Sequence, residues 1–482
     1  MNTHLPRAAL AATLASLLAG CMVGPDYHRP QVQMPAQFKP LPGWSAAAPG
    51  DADLPKGNWW APFHDPLLDE LEPQVAVSNQ TVAQSYANYQ AALAEVKEAR
   101  SALFPTIGIS GAGDKERSAS GSSLATTRRI GTSGSLEGTA SWAPDLWGKV
   151  RRGLEQSKAS AQASQATLAN ATLSEQAALA TAVIELRATD ASIDLQQQAV
   201  AAYTESLRVV QNQSSAGTIA PSDEISARTQ LENAQSSLLS LGIARAQYAH
   251  AIAVLVGKNP EDLDIPHDAA LPSLPAVPSG VPSTLLQRRP DIAVAERQMA
   301  AQNAAIGVAE AAYYPTLSLS GADGFSQSPL AGLLHLANHV WSLGADVGAT
   351  LFDGGERSGQ VAAARANYEA AVANYRGTVL GALQNVENDL SGLGILARQS
   401  DVQDSAARDA TRGAEIARNE YQAGTVDYTT VATAQATEFS SRQNALGVHE
   451  QRLLDTVSLI GDLGGGWSAD ELGTAPQAAA KR

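Results

Sequence analysis

The sequence predicts a mainly α-helical fold that also carries membrane β-strands. Its unit is helix, strand pair and long α-helical hairpin, present twice. Three observations predict it. Residues 149–213 contain no proline and one internal glycine, Gly153; roughly 65 residues at the α-helical rise span on the order of 95 Å, far more than a globular helix needs. Around Ile107–Ile109 and Leu136–Trp142 the apolar period changes from helical to two, the signature of strands. From Leu285 onward the same order of elements returns, and internal repetition on this scale marks a duplicated architecture.

The chain begins with an export signal over residues 1–20: Arg7, then apolar Ala8 to Leu18, then Leu18-Ala19-Gly20-Cys21. Small residues before a cysteine resemble a bacterial lipobox. This implies cleavage after Gly20 and a diacylglyceryl group on Cys21; an ordinary signal would instead leave a free thiol there. Met22, rather than Asp, follows, as in lipoproteins sent to the outer membrane. Cys21 is the only cysteine, so no intrachain disulfide forms. Residues 21–60, rich in Pro, Gly and Ala, read as an extended lipidated arm. No later stretch reads as apolar for the ~18 residues of a spanning helix, so any crossing falls to strands.

The first repeat covers 61–257. Helices are expected over Pro66–Val77 and Asn79–Leu103, the second with a stripe of Val82, Tyr86, Tyr89, Leu93 and Val96. Pro105 stops it. Strands follow at about 105–113 and 134–143, with the polar Asp114–Ser133 between them as a soluble loop. Each is about long enough to cross a bilayer when tilted. The long helix at about 149–213 carries Val150, Leu154, Leu168, Leu179, Leu186, Ile193, Val200 and Leu207, close to a coiled-coil seam. Gly217 is a candidate left-handed cap, and Pro221, Asp223 and Glu224 open a return helix to about 256.

A Pro-rich connector spans 258–284, and the second repeat spans 285–466. Its strands are expected at about 315–325 and 341–352 and its long helices at about 355–422 and 427–460, turned at Gly424. Phe104-Pro105-Thr106 matches Tyr314-Pro315-Thr316, and Ala216-Gly217-Thr218 matches Ala423-Gly424-Thr425. The tail, 467–482, is expected to be disordered.

Two copies supply four strands. Four strands cannot close, and open edges do not survive in lipid. The barrel must be shared between chains: two would give eight strands with a filled interior, three would give twelve around an aqueous lumen. Neighbouring helices would form a helical tube continuous with it. A net charge of -15 argues against nucleic acid as a partner.

Cys21-Met22-Val23-Gly24-Pro25-Asp26-Tyr27, Trp59-Trp60 with Asp65-Pro66-Leu67-Leu68, and Asp145-Leu146-Trp147-Gly148-Lys149-Val150-Arg151 resemble the TolC-type outer membrane factor lipoproteins of tripartite efflux systems. So do Arg288-Arg289-Pro290-Asp291-Ile292, Leu351-Phe352-Asp353-Gly354-Gly355 and Gly464-Gly465-Gly466-Trp467. The resemblance covers nearly the whole mature chain. It implies a homotrimer with a 12-stranded barrel in the outer membrane, docked to a periplasmic adaptor and an inner-membrane pump, passing drugs or other small molecules passively outward. The family closes its periplasmic end at the hairpin tips with tyrosine and charged residues. Tyr421 falls on the tyrosine position, but Thr430 and Thr433 stand where acids are usual. The expected gate is Tyr421 with Asp223, Glu224 and Asp427, whose acidity would favour cations; the same acids also suit helix N-termini.

No Gly-x-Ser-x-Gly elbow or P-loop stands in context, and no catalytic pair is grouped, so no enzyme activity is expected. His335 and His339 have i,i+4 spacing but read as a loop rather than a metal site. No cofactor is expected beyond the lipid on Cys21. A protein-secretion channel shares the pore plan. A periplasmic coiled-coil adaptor would explain one hairpin but not two copies with paired strands.

Overall fold

A computed structural model describes residues 22–30, 32, 35, 58–122, 125–275 and 288–473, with side chains of the strand residues 118–129 left aside. The expected signal peptide, the expected lipidation position Cys21, most of the arm, the connector after 275 and the tail from 474 lie outside the described residues. The described chain falls into two compact units.

The first unit comprises 22–30, 89–122, 125–163 and 295–375. It holds one antiparallel sheet in the order β1 (Thr106–Ser122), β2 (Ala125–Trp142), β3 (Thr316–Gln327), β4 (His339–Gly348). The two hairpins are thus joined through β2 and β3, with Leu136 opposite Phe325. Among the described residues β1 and β4 each keep one unpaired edge. The first hairpin is longer than expected. Asp114–Ser133 is no loop: the ladder continues from Thr106↔Ser141 to Ser122↔Ala125. Asp114-Lys115-Glu116-Arg117 explains part of this, since charge alternating in sign every residue is itself a period-two pattern.

The register sorts the sheet into two faces, because directly opposed residues share a face. One face collects Ile107, Ile109, Leu136, Ala140, Trp142, Leu317, Leu319, Trp341, Leu343 and Val347. The other collects Ser110, Thr139, Ser141, Ser318, Ser320 and Ser342, with Asp114, Glu116, Glu137 and Asp346. The apolar face is uncovered in the single chain: Ile109 is 80% exposed and Leu343 81%.

Residues 22–30 are docked rather than free. Arg152, near the start of helix α3 (Lys149–Ser215), is 1% exposed. It donates to the carbonyls of Val23 (3.1 Å) and Gly24 (3.0 Å) and to Asp26 (2.9 Å), and pairs with Glu155 at 2.8 Å. Asn303, on α5 (Pro290–Ala311), donates to the Pro25 carbonyl at 2.9 Å, and Tyr27 bonds Glu296. Gly24 sits where a Cβ would meet the Gly307 backbone at 2.4 Å, so position 24 accepts no side chain. Trp147 stacks on Tyr314 with ring centres 4.9 Å apart and donates to the Pro315 carbonyl at 2.7 Å.

The second unit comprises 32, 35, 58–88, 164–275, 288–294 and 376–473. Helices α1 (Pro66–Ser78) and α2 (Gln80–Ser101) open the repeat. Asp65 caps α1 by accepting from Leu67 and Leu68 and meets the buried Arg187 at 3.2 Å. Trp59, Trp60, Phe63, Leu68, Leu71 and Val75 are buried in this unit. Four helices dominate the hairpins: α3, α4 (Pro221–Leu255), α6 (Glu356–Gln422) and α7 (Tyr428–Asp462). α3 and α6 each run 67 residues unbroken, and α4 and α7 are each 35 residues long. The lengths of the hairpin helices thus repeat, while those of the strands do not.

Two expectations need correction. α4 is long and apolar enough to cross a membrane by length and composition, at a mean hydropathy of 1.3. Its Arg245 donates to the fully buried Asp190 at 2.6 Å and to the Ile265 carbonyl at 2.9 Å, which marks this helix as protein packing rather than lipid contact. The tail is also ordered further than expected. Ala469–Glu471 form a short 3-10 turn capped by Ser468. Gln165 bonds the Glu471 carbonyl at 3.1 Å and the Gly473 amide at 2.8 Å.

Candidate functional site at the hairpin tips

The two tips lie in the second unit and are built alike. Gly217 (φ 73°) and Gly424 (φ 75°) take the left-handed conformation that only glycine adopts without strain. After each, a threonine amide reaches back to close the helix: Thr218 to the Gln213 carbonyl and Thr425 to the Glu420 carbonyl, both 3.0 Å. The return helices start differently. α4 begins with Pro221 and no side-chain cap, whereas Asp427 caps α7 by accepting from the Thr430 amide at 3.0 Å and its hydroxyl at 2.9 Å.

A small core ties the tips together. Val210, Ala227 and Tyr428 are buried there, with Leu207, Ile219 and Tyr421 packed against them. Tyr421, at the end of α6, hydrogen-bonds Gln213 at the end of α3. Its ring meets that of Tyr428 edge-on at 6.1 Å. Burial raises the Tyr428 hydroxyl to about 12, with Tyr203, Tyr421 and Asp223 adding to it. Burial also raises that of Tyr421; the Gln213 bond opposes this and Asp223 reinforces it. Both phenols are therefore neutral hydrogen-bonding groups at any ordinary pH.

The three acids assigned to the gate have separate surroundings. The Asp427 carboxyl is held below its usual range, first by the Thr430 amide and then by the Thr430 hydroxyl. Glu224 pairs with Arg228 at 2.7 Å, one turn on. Asp223, in the first turn of α4, is the one whose charge reaches both Tyr421 and Tyr428. Asp223 thus bears on Tyr421 through its charge, whereas Asp427 and Glu224 have local partners. Thr430 serves the cap, and the Thr433 hydroxyl donates back to the Thr429 carbonyl at 2.8 Å. Gln213 and Tyr428 were missed in sequence. The pairing of the two Ala-Gly-Thr turns held the signal, since it sets Gln213 opposite Glu420.

Behind the tips, α4 and α7 frame two open grooves of about 570 and 580 Å³. Gln230 and Ala436 line both, with Thr433, Thr437 and Ser440 in one and Tyr203 and Phe439 in the other. Among the described residues no cluster suits a metal ion. His339 opens β4 and bonds Asp323 at 2.9 Å, while His335 precedes a 3-10 turn.

Comparison with known proteins bears on this architecture as a whole. The family profile "Outer membrane efflux protein" matches residues 71–258 and 281–465. The chain is 28% identical to the probable efflux pump outer membrane protein TtgC of Pseudomonas putida, over 95% of each chain. It is 29% identical to the solvent efflux pump outer membrane protein SrpC of Pseudomonas putida, over 94% of this chain and 97% of that one. Among solved structures, the outer-membrane channel OprN matches with a TM-score of 0.82 at 29% identity, over 93% of this chain and 100% of the other. The Campylobacter jejuni CmeC outer membrane channel shares the fold, with a TM-score of 0.86 at 22% identity over 94% and 96%. Duplicated hairpins, a two-faced sheet and these matches along both repeats converge: this chain belongs to the outer membrane efflux protein family.

Proposed function

We propose that three copies of this chain assemble into the outer-membrane duct of a tripartite efflux pump and pass drugs or other small molecules passively from periplasm to exterior. One observation carries the reading. The four-stranded sheet has an apolar face, a polar face and two unpaired edges. Such a sheet is stable in a bilayer only if its edges pair with other copies. Three copies give twelve strands, enough to enclose water with the serine-rich face inward.

The remaining assignments follow from that one. A lipid on Cys21 would hold the mature N-terminus at the membrane. The groove between Gln230 of α4 and Thr433, Thr437 and Ser440 of α7, lined by small and polar side chains, suits the helices of a periplasmic adaptor, which would link the duct to an energised inner-membrane pump. The tips would form the gate. Tyr421 bonded to Gln213 ties the ends of two long helices, and parting the tips requires breaking that tie. Asp223, Glu224 and Asp427 would make the opening acidic, with Asp223 and Asp427 the main contributors: Glu224 is paired with Arg228, whereas Asp427 accepts only from the neutral Thr430 and keeps its charge. Single-channel recording tests both layers. The purified protein should conduct with a preference for cations, and Asp223→Ala with Asp427→Ala should reduce that preference. Absence of conductance would reject the duct, and an unchanged preference would reject the acidic gate.

A further inference from the structure

The charges of residues 114–117 on the first hairpin are sorted by face. Asp114 and Glu116 share the polar face with Glu137 and Asp346. Lys115 and Arg117 stand on the opposite face, in the rows of Thr132 and Ile130 that prolong the apolar rows of Ile107, Ile109 and Leu136. Among the described side chains, every charge on the polar face is acidic. The one acid on the apolar face, Asp323, is bonded to His339. Lys115 and Arg117 are exposed, and neither has an ion-pair partner among the described residues.

Their height is set by the strand. Trp142 marks the lower end of the apolar face on β2, and Thr132, opposite Lys115, stands roughly ten residues further along. At a rise of 3.4 Å per residue and a tilt of about 40°, that climb is roughly 26 Å. The apolar band of an outer-membrane barrel is about 25 Å tall. Lys115 therefore stands at the top of that band, at the level where outer-leaflet headgroups lie, with Arg117 and Ile130 one row beyond it.

We propose that Lys115 and Arg117 form a binding surface for the phosphate groups of the outer-leaflet glycolipid, lipopolysaccharide. The proposal rests on the barrel reading, because only a closed sheet with its apolar face outward presents these side chains to lipid. Charge complementarity identifies the occupant: two adjacent unpaired cations facing out of the band meet a layer of phosphates, while the acids face the aqueous side. Three copies would place three such pairs around the rim and fix the duct's depth in the outer leaflet.

The test uses the full-length protein in detergent with three probes: purified lipopolysaccharide, phosphatidylcholine and inorganic phosphate. Each is titrated against thermal unfolding and binding, with single-channel conductance recorded in parallel. Lipopolysaccharide should bind and stabilise the wild type while the other two do not. Lys115→Gln with Arg117→Gln should weaken that binding about thirtyfold, from roughly fivefold for each cation at an anionic lipid surface. Asp114→Asn with Glu116→Gln, on the other face, should leave it unchanged. Equal lipopolysaccharide affinity in the wild type and the Lys115/Arg117 variant overturns the proposal. Equal stabilisation by inorganic phosphate also overturns it, since the surface would then be a free-anion site. Conductance separates the two layers: a conducting variant with unweakened binding fails this proposal alone, whereas a non-conducting wild type fails the barrel reading beneath it.

Discussion

Glu72 lies inside α1 with none of its side chain exposed, and neither carboxyl oxygen has a hydrogen-bond partner. Burial alone pushes its carboxyl up to about 9 from an ordinary 4.5. The folded protein therefore keeps Glu72 protonated at neutral pH, while the unfolded chain releases that proton. The sign follows from linkage: the contribution is most favourable below pH 4.5 and is lost as pH rises toward 9, at about 1.4 kcal/mol per pH unit. At pH 7 the loss amounts to roughly 3 kcal/mol per chain. A chain of this length carries on the order of 1 kcal/mol/K of unfolding entropy, so the melting temperature should shift by about 3 °C. Glu72→Gln keeps the shape and a buried polar end but cannot ionise. Thermal unfolding of the detergent-solubilised protein between pH 5 and 8 is the assay. Wild type and variant should match near pH 5, and the variant should melt about 3 °C higher at pH 7. Parallel curves across this range would show that Glu72 is solvated or paired, and the reasoning from burial would fail.

Other perturbations reach different parts of the fold. Arg152→Ala removes the donors that hold residues 22–30, and should cost about 2–3 kcal/mol and make that segment exchange its amide hydrogens early. Gly424→Ala meets no atom within 4 Å, so its cost is conformational, about 1–2 kcal/mol; faster amide exchange confined to the second tip is the expected readout. Asp389 is pushed up to about 7, first by burial and then by Asp462. Its contribution declines as pH rises from 3.8 toward 7, and Asp389→Asn should flatten that part of the stability profile.

How far the sequence reaches depends on whether a residue's partner lies nearby in the chain. The hairpin tips were legible because Gly217 and Gly424 act locally, each ending its own helix. The sheet was legible where large apolar residues alternate, as at Ile107 and Ile109. It was not legible over Asp114–Ser133, where glycine, serine and threonine mimic a loop and the alternation is in charge rather than hydropathy. The role of Arg152 is not legible in sequence, since its carbonyl partners lie more than a hundred residues earlier. Nothing local marks Glu72, between Leu71 and Pro73, as a buried acid; only packing reveals that α1 buries that face. At the tips, Tyr421 stands out in sequence, but its bond to Gln213, which joins two helices from different repeats, does not.

Subunit number decides whether these strands close into a barrel. Native mass measurement of the protein released from outer membranes into mild detergent counts the chains directly. A single species of three chains is the predicted result, since twelve strands close a water-filled barrel and four cannot. A particle of one chain, stable and monodisperse with its β1 and β4 edges unpaired, would contradict it.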